Sequence, residues 1–143
     1  MGKYSVLIIL FVIAAAAAAY FFWGMSRPQT YRKATVNLKD AIFKVDVAET
    51  MAARTQGLSG RPGLSEGEGM LFIFPEPSNY SFWMKDMNFP IDIIWLSQDM
   101  RVIYIKKNAR PELYPEVYGP DTNAKYVLEV SSGFSDKNNL KIG

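Results

Sequence analysis

The side chains with the most chemical potential in this chain are two carboxylates embedded in apolar segments. Asp92 stands in Pro90-Ile91-Asp92-Ile93-Ile94-Trp95-Leu96, and Glu129 in Tyr126-Val127-Leu128-Glu129-Val130. Burying an ionised carboxylate without a partner costs several kcal/mol, so each needs a counter-ion, a route to solvent or a proton. Arg54 is the candidate counter-ion. A functional pair of this kind would move protons to and from water. A structural ion pair, or a carboxylate bonded to loop amides, leaves the same trace in a sequence and is the simpler reading. Trp83 is the aromatic to keep as a ligand candidate: in a strand, Phe82 and Met84 point to one face and Trp83 to the other, and large aromatics are mostly core. The candidate ligand-binding residues are therefore Arg54, Trp83, Asp92 and Glu129.

Other chemistries are excluded by composition. The 143 residues include no Cys and no His, which removes thiol nucleophiles, disulfides, imidazole bases and the usual zinc sites. Gly63-Leu64-Ser65-Glu66-Gly67 matches the hydrolase pattern G-x-S-x-G by letter. That motif needs a strand before the Ser, a helix after it and a His to take its proton, so a surface loop is expected instead. The same glycines lack the Lys-Ser/Thr of a phosphate loop. Asp86, Asp92 and Asp99 lack the alternating oxygen spacing of a calcium loop, and no cofactor is indicated. With 16 basic and 14 acidic residues, the chain has no electrostatic footprint for nucleic acid.

The elements that must position these residues follow a period of two. Phe43, Val45 and Val47 share one face of a strand over Ile42–Val47, with Lys44 and Asp46 on the other; Asn37–Asp40 reads as the turn from a strand at Ala34–Val36. Met70–Phe74, Tyr80–Met84, Ile91–Leu96, Arg101–Ile105 and Ala124–Val130 complete the strand set, with a hairpin turn at Ser97-Gln98-Asp99. Thr50 caps a short helix over Met51–Gln56 that stops at Gly57, and Ser135–Leu140 forms another helical turn. Asn108–Asn123, rich in Pro and Tyr, is a long connection of the kind that covers a cleft. The fold class expected is mainly β, an antiparallel β-sandwich or barrel with one or two short helices.

Ahead of that domain, Tyr4–Met25 carries no formal charge. As a helix it would rise roughly 33 Å, close to a bilayer's hydrocarbon thickness, and Tyr20-Phe21-Phe22-Trp23 suits an interfacial belt. The expectation is a single transmembrane signal-anchor helix over 4–25, after a tail at 1–3 and before a linker at 26–33, with the β domain at 34–143. A cleaved signal peptide is the rival reading. The membrane is thus an expected partner, with the domain on the extracytoplasmic side. Lys141-Ile142-Gly143 ends the sequence on an apolar note that a further strand would be expected to follow.

Arg54-x-x-Gly57-Leu58, Gly69-Met70-Leu71-Phe72-x-Phe74, Phe82-Trp83-Met84-Lys85, Pro90-Ile91-Asp92-Ile93 and Tyr126-Val127-Leu128-Glu129 with Gly133, in that order, resemble the domain-of-unknown-function 192 family. Asp86 and Met87 depart from the Asn and Thr frequent there. The resemblance implies a compact β-sandwich, often exported or membrane-anchored in prokaryotes, with no established activity. Three functions remain open. A module binding a cell-envelope polymer or small ligand needs aromatic faces beside polar groups. A carboxylate-dependent hydrolase of an envelope glycan needs two carboxylates about 5 to 9.5 Å apart on one cleft. An assembly factor for a membrane-protein partner needs an exposed apolar patch. The absence of His and Cys ranks binding first, with no catalytic residue assigned.

Overall fold

A computed structural model of the chain describes residues 3–25, 30–38 and 41–143, with side chains of the first stretch described over 8–21. Residues 1 and 2 of the expected tail, 26–29 of the expected linker, and 39 and 40 of the expected first turn lie outside these; Lys3 of the tail begins a helix, and Arg32 and Lys33 of the linker begin a strand. The chain divides into two compact units, one up to Thr30 and one from Tyr31 to Gly143.

The first unit holds helix α1 (Lys3–Met25), as a run of six alanines and no proline favours. The transmembrane signal-anchor expected there is not supported: among the described residues, no helix is long and apolar enough to cross a membrane.

The second unit is mainly β, as expected. Its strands are β1 (Arg32–Leu38), β2 (Ala41–Ala48), β3 (Glu68–Ser78), β4 (Phe82–Trp83), β5 (Ile91–Leu96), β6 (Val102–Ala109), β7 (Val117–Tyr118) and β8 (Ala124–Ser131), with short helices α2 (Met51–Gln56) and α3 (Phe134–Lys137). Six strands form one sheet in the order β1-β2-β3-β8-β5-β6, and β4 and β7 form a separate two-stranded ribbon. The expected antiparallel sandwich is corrected in two ways. First, β2 and β3 run parallel, Asp46 opposite Met70, because α2 lies between them and carries the chain back to the starting edge. Second, one face of the sheet is covered by α2, the ribbon and loops in place of a second large sheet. The Asn108–Asn123 connection holds a 3-10 turn (Pro111–Leu113) and β7, so part of it belongs to the ribbon.

Alternation along the central strands builds two cores. Met70, Phe72, Ile91, Ile93, Trp95 and Val127 pack on one face with Ala53, Leu58, Met84 and Tyr118. Phe43, Val45, Ile94, Leu128 and Val130 pack on the other with Leu140 and the partly buried Phe134. Burial on both faces explains why β5 reads as a nearly unbroken apolar run. Trp95 is fully buried, and its Nε1–H donates to the Tyr80 carbonyl at 2.8 Å. The α2 boundaries follow from its caps: Thr50 Oγ1 accepts from the Ala53 N–H at 3.1 Å, and Gly57 takes a φ of 51° to end the helix. Gly69 meets a different demand, since a Cβ there would sit 2.8 Å from the Glu129 carbonyl oxygen.

Candidate functional site

The four candidate residues do not share a cleft. Asp92 is fully buried on the face of Ile94 and Leu96. Its Oδ1 accepts from the backbone N–H groups of Asn108 at 2.9 Å and Gly133 at 3.3 Å, and its Oδ2 from that of Ser135 at 2.8 Å. It therefore ties the β6 end and the start of α3 to β5, which is the loop-amide role. Arg54 is likewise occupied: Nη1 donates to the carbonyls of Glu49 at 2.6 Å and Ile73 at 3.0 Å, and the guanidinium lies 5.3 Å from the Phe74 ring centre. No hydrogen bond or ion pair links it to Asp92 or Glu129 among the described residues.

Trp83 is the exposed aromatic, 52% accessible, on the ribbon opposite Val117. Its ring meets that of Tyr114 edge-on at 5.7 Å, and Lys85 Nζ lies 5.9 Å from its centre. Phe82, on the inward side, packs against Phe72 and Trp95. The alternation read from sequence therefore places all three side chains.

Glu129 is different. It points to the face of Met70 and Ile93, its neighbours on β3 and β5. The register continues that row across the sheet: Lys33 on β1, Asp46 on β2, Met70 on β3, Glu129 on β8, Ile93 on β5 and Lys106 on β6. Glu129 is 5% accessible, and its Oε2 is buried with no hydrogen-bond partner. Burial raises its pKa from the usual carboxylate range to about 8, with the Arg61 charge pulling the other way. At neutral pH it is a carboxylic acid held inside the fold.

Two strands along the row, Asp46 has the opposite character. It too is buried, at 6% accessible, but Arg61 Nη2 donates to its Oδ2 at 2.7 Å and Lys33 Nζ pairs with its Oδ1. Burial alone would raise its pKa; the bonds and charges of Lys33 and Arg61 outweigh that and hold it below the carboxylate norm. Arg61 also lies 5.3 Å from the ring centre of Tyr31, whose hydroxyl donates to the Gly57 carbonyl at 3.2 Å. Burial raises the Tyr31 pKa, while Arg61 counters it. Beside this cluster opens a cleft of about 470 Å³ whose lining includes Lys33, Lys44, Asp46, Arg61, Leu64 and Glu68. That volume lies within the range of small-molecule sites.

Asp46, Arg61 and Tyr31 were absent from the sequence candidates. Lys44 and Asp46 read as the polar face of β2, opposite Phe43, Val45 and Val47, and Arg61 sat in a Gly/Pro-rich loop with no pattern of its own. The signal is long-range: residues 57–67 fold over the polar side of β2, bringing Arg61 to Asp46, 15 positions away in sequence. Among the described residues, no group of three or more acidic side chains could hold a metal ion.

Comparison with known proteins agrees with the fold. A UPF0127 protein of Thermococcus sibiricus is 33% identical over 102 residues, covering 70% of this chain; the chain spans 62% of that relative's length. A crystal structure of a protein of unknown function from Novosphingobium aromaticivorans superposes with a TM-score of 0.70 at 32% identity, covering 76% of this chain and 79% of that one. A putative transcription regulator from Sinorhizobium meliloti superposes with a TM-score of 0.73 at 25% identity, covering 82% and 94%. The family model described as DUF192, Uncharacterized ACR, matches residues 33–143, and the chain belongs to that family.

Proposed function

We propose that the domain is a binding module for a small anionic ligand, seated in the cleft beside Arg61. The observation that carries this reading is the Arg61 guanidinium: its side chain is 29% accessible on the cleft wall, with Nη2 bonded to Asp46 and the Tyr31 ring alongside. A guanidinium presents five N–H donors in a planar fork that matches carboxylate and phosphate oxygens. Lys33 and Lys44 line the same cleft, against the carboxylates of Asp46 and Glu68, so the lining favours an anion by one charge. Hydrolysis by a carboxylate pair has less support, because cations hold both oxygens of Asp46 and leave it a poor base. A polymer-binding surface is the second reading, favoured by the exposed corner that Trp83 makes with Tyr114.

Calorimetric titration of the full chain with succinate, sulfate and a neutral glycan fragment tests both. Succinate or sulfate should bind, and Arg61→Ala should weaken that binding at least tenfold while thermal unfolding shows the variant folded. Anion binding that Arg61→Ala leaves intact would overturn the first reading. Glycan binding lost in Trp83→Ala would support the second.

A further inference from the structure

The cleft reading gives no work to the buried carboxyl of Glu129. Its place in the fold is fixed. Met70 and Ile93 flank it on the neighbouring strands, and Gly69, one position before Met70, lets the β3 backbone close against β8 at the Glu129 carbonyl. The charged and titratable groups that face this region come from five elements. Lys33 of β1 is paired with Asp46 of β2; Arg61, in the loop after α2, is bonded to Asp46; the hydroxyl of Tyr31, ahead of β1, bonds the Gly57 carbonyl; Lys106 of β6 lies 4.1 Å from the Tyr118 ring centre. Of these, Arg61 is the cation whose charge reaches Glu129 and opposes its protonation. Strand spacing places the Cα atoms of Asp46 and Glu129 about 10 Å apart, with Arg61 serving the first and felt by the second.

We propose that Glu129 is a proton-operated competitor for Arg61: as the neutral acid it leaves the guanidinium to the cleft anion, and as the carboxylate it draws the guanidinium away and repels the anion. The inference rests on the cleft reading and adds its regulation. Ligand is held while Oε2 keeps its proton and is released as that proton passes to solvent. The geometry gives the competition a direction, because an ionised carboxylate at that depth would have no hydrogen-bond partner at Oε2, and Arg61 is the cation whose charge reaches it. The cost of leaving it unpaired favours movement of the flexible Arg side chain. Ligands of fixed charge, such as dicarboxylates and sulfate-like groups, would show the effect undisguised.

The experiment is a titration of the full chain with succinate and with sulfate, each of constant charge between pH 6.5 and 9, in wild type, Glu129→Gln and Arg61→Ala. Wild type should lose affinity steadily across that range, by up to about tenfold, the limit set by the fraction of Glu129 still protonated at pH 9. Glu129→Gln, which keeps shape and neutrality but has no proton to lose, should bind at pH 9 as it does at pH 6.5. Arg61→Ala should bind weakly at every pH. The Arg61 Nε–H signal in nuclear magnetic resonance spectra, without ligand, should shift with a midpoint near pH 8 in wild type and stay still in Glu129→Gln. Anion binding that needs Arg61 but is flat with pH, or keeps its slope in Glu129→Gln, overturns this inference and leaves the cleft reading standing. No anion binding at any pH overturns both.

Discussion

Asp92 and Glu129 sit on adjacent strands, both almost completely buried, on opposite faces of one sheet. In sequence they look alike, each a lone carboxylate in an apolar strand. In the fold, three backbone N–H groups meet Asp92, and Glu129 Oε2 meets none. The difference lies in what covers each face. Over Asp92, the start of α3 and the end of β6 present amide hydrogens that need an acceptor, so the carboxylate completes the backbone's own hydrogen bonding. Beside Glu129 lie Met70 and Ile93, which offer no donor to its Oε2. A buried charge is structural when the backbone asks for it and costly when it does not.

The largest effect should come from breaking the satisfied side. Asp92→Ala strands three amide N–H groups and should cost about 3–5 kcal/mol in urea unfolding of the full chain, with Asp92→Asn intermediate because one acceptor oxygen remains. A loss below about 1 kcal/mol for the Ala change would show that water or a shifted α3 replaces the carboxylate. On the other face the sign should reverse. Because the Glu129 pKa is raised in the folded state, its contribution is fully present below the unfolded value near 4.5 and fades as pH rises through about 8. Glu129→Gln should therefore stabilise the protein by on the order of 3 kcal/mol at pH 7, and by little at pH 4.5. A Gln variant destabilised equally at both pH values would assign Glu129 to packing alone. Smallest of the three is Asp46→Asn, with a loss of about 1–2 kcal/mol at pH 7. The Asp46 pKa is lowered on folding, so that loss should shrink as pH falls below the ordinary carboxylate value. Melting curves between pH 3 and 7 would show whether it does.

The strands and their faces were largely legible in sequence, because alternation and turn chemistry are local. Ile91–Leu96, the helix over Met51–Gln56 with Thr50 as its cap, and the hairpin turn near Ser97–Asp99 appear as expected. Partnership was less legible. Nothing near Lys44 or Asp46 announces that residues 57–67 will cover that side of β2, since cover depends on a loop whose glycines and prolines specify turns and no destination. The parallel pairing of β2 with β3 was hidden for the same reason: direction is set by where α2 carries the chain. Of the candidate residues, Trp83 and Glu129 lie where a ligand role can be tested, whereas Arg54 and Asp92 are held by backbone groups that only the fold brings to them.

The position of β8 in the sheet bears on the order in which this protein can assemble during synthesis. Strands β1 to β3 form one hydrogen-bonded block and β5 with β6 another, and β8 alone joins them, pairing with β3 on one side and β5 on the other. A ribosome that has released the chain only as far as Asn123 has therefore produced two half-sheets, each with an unpaired edge of apolar residues. Of the six described strands in that sheet, the one that joins the two halves is the last in chain order. Until it emerges, β3 and β5 are open templates for another chain, so a stalled or shortened product ending there is the form of this protein most prone to aggregate.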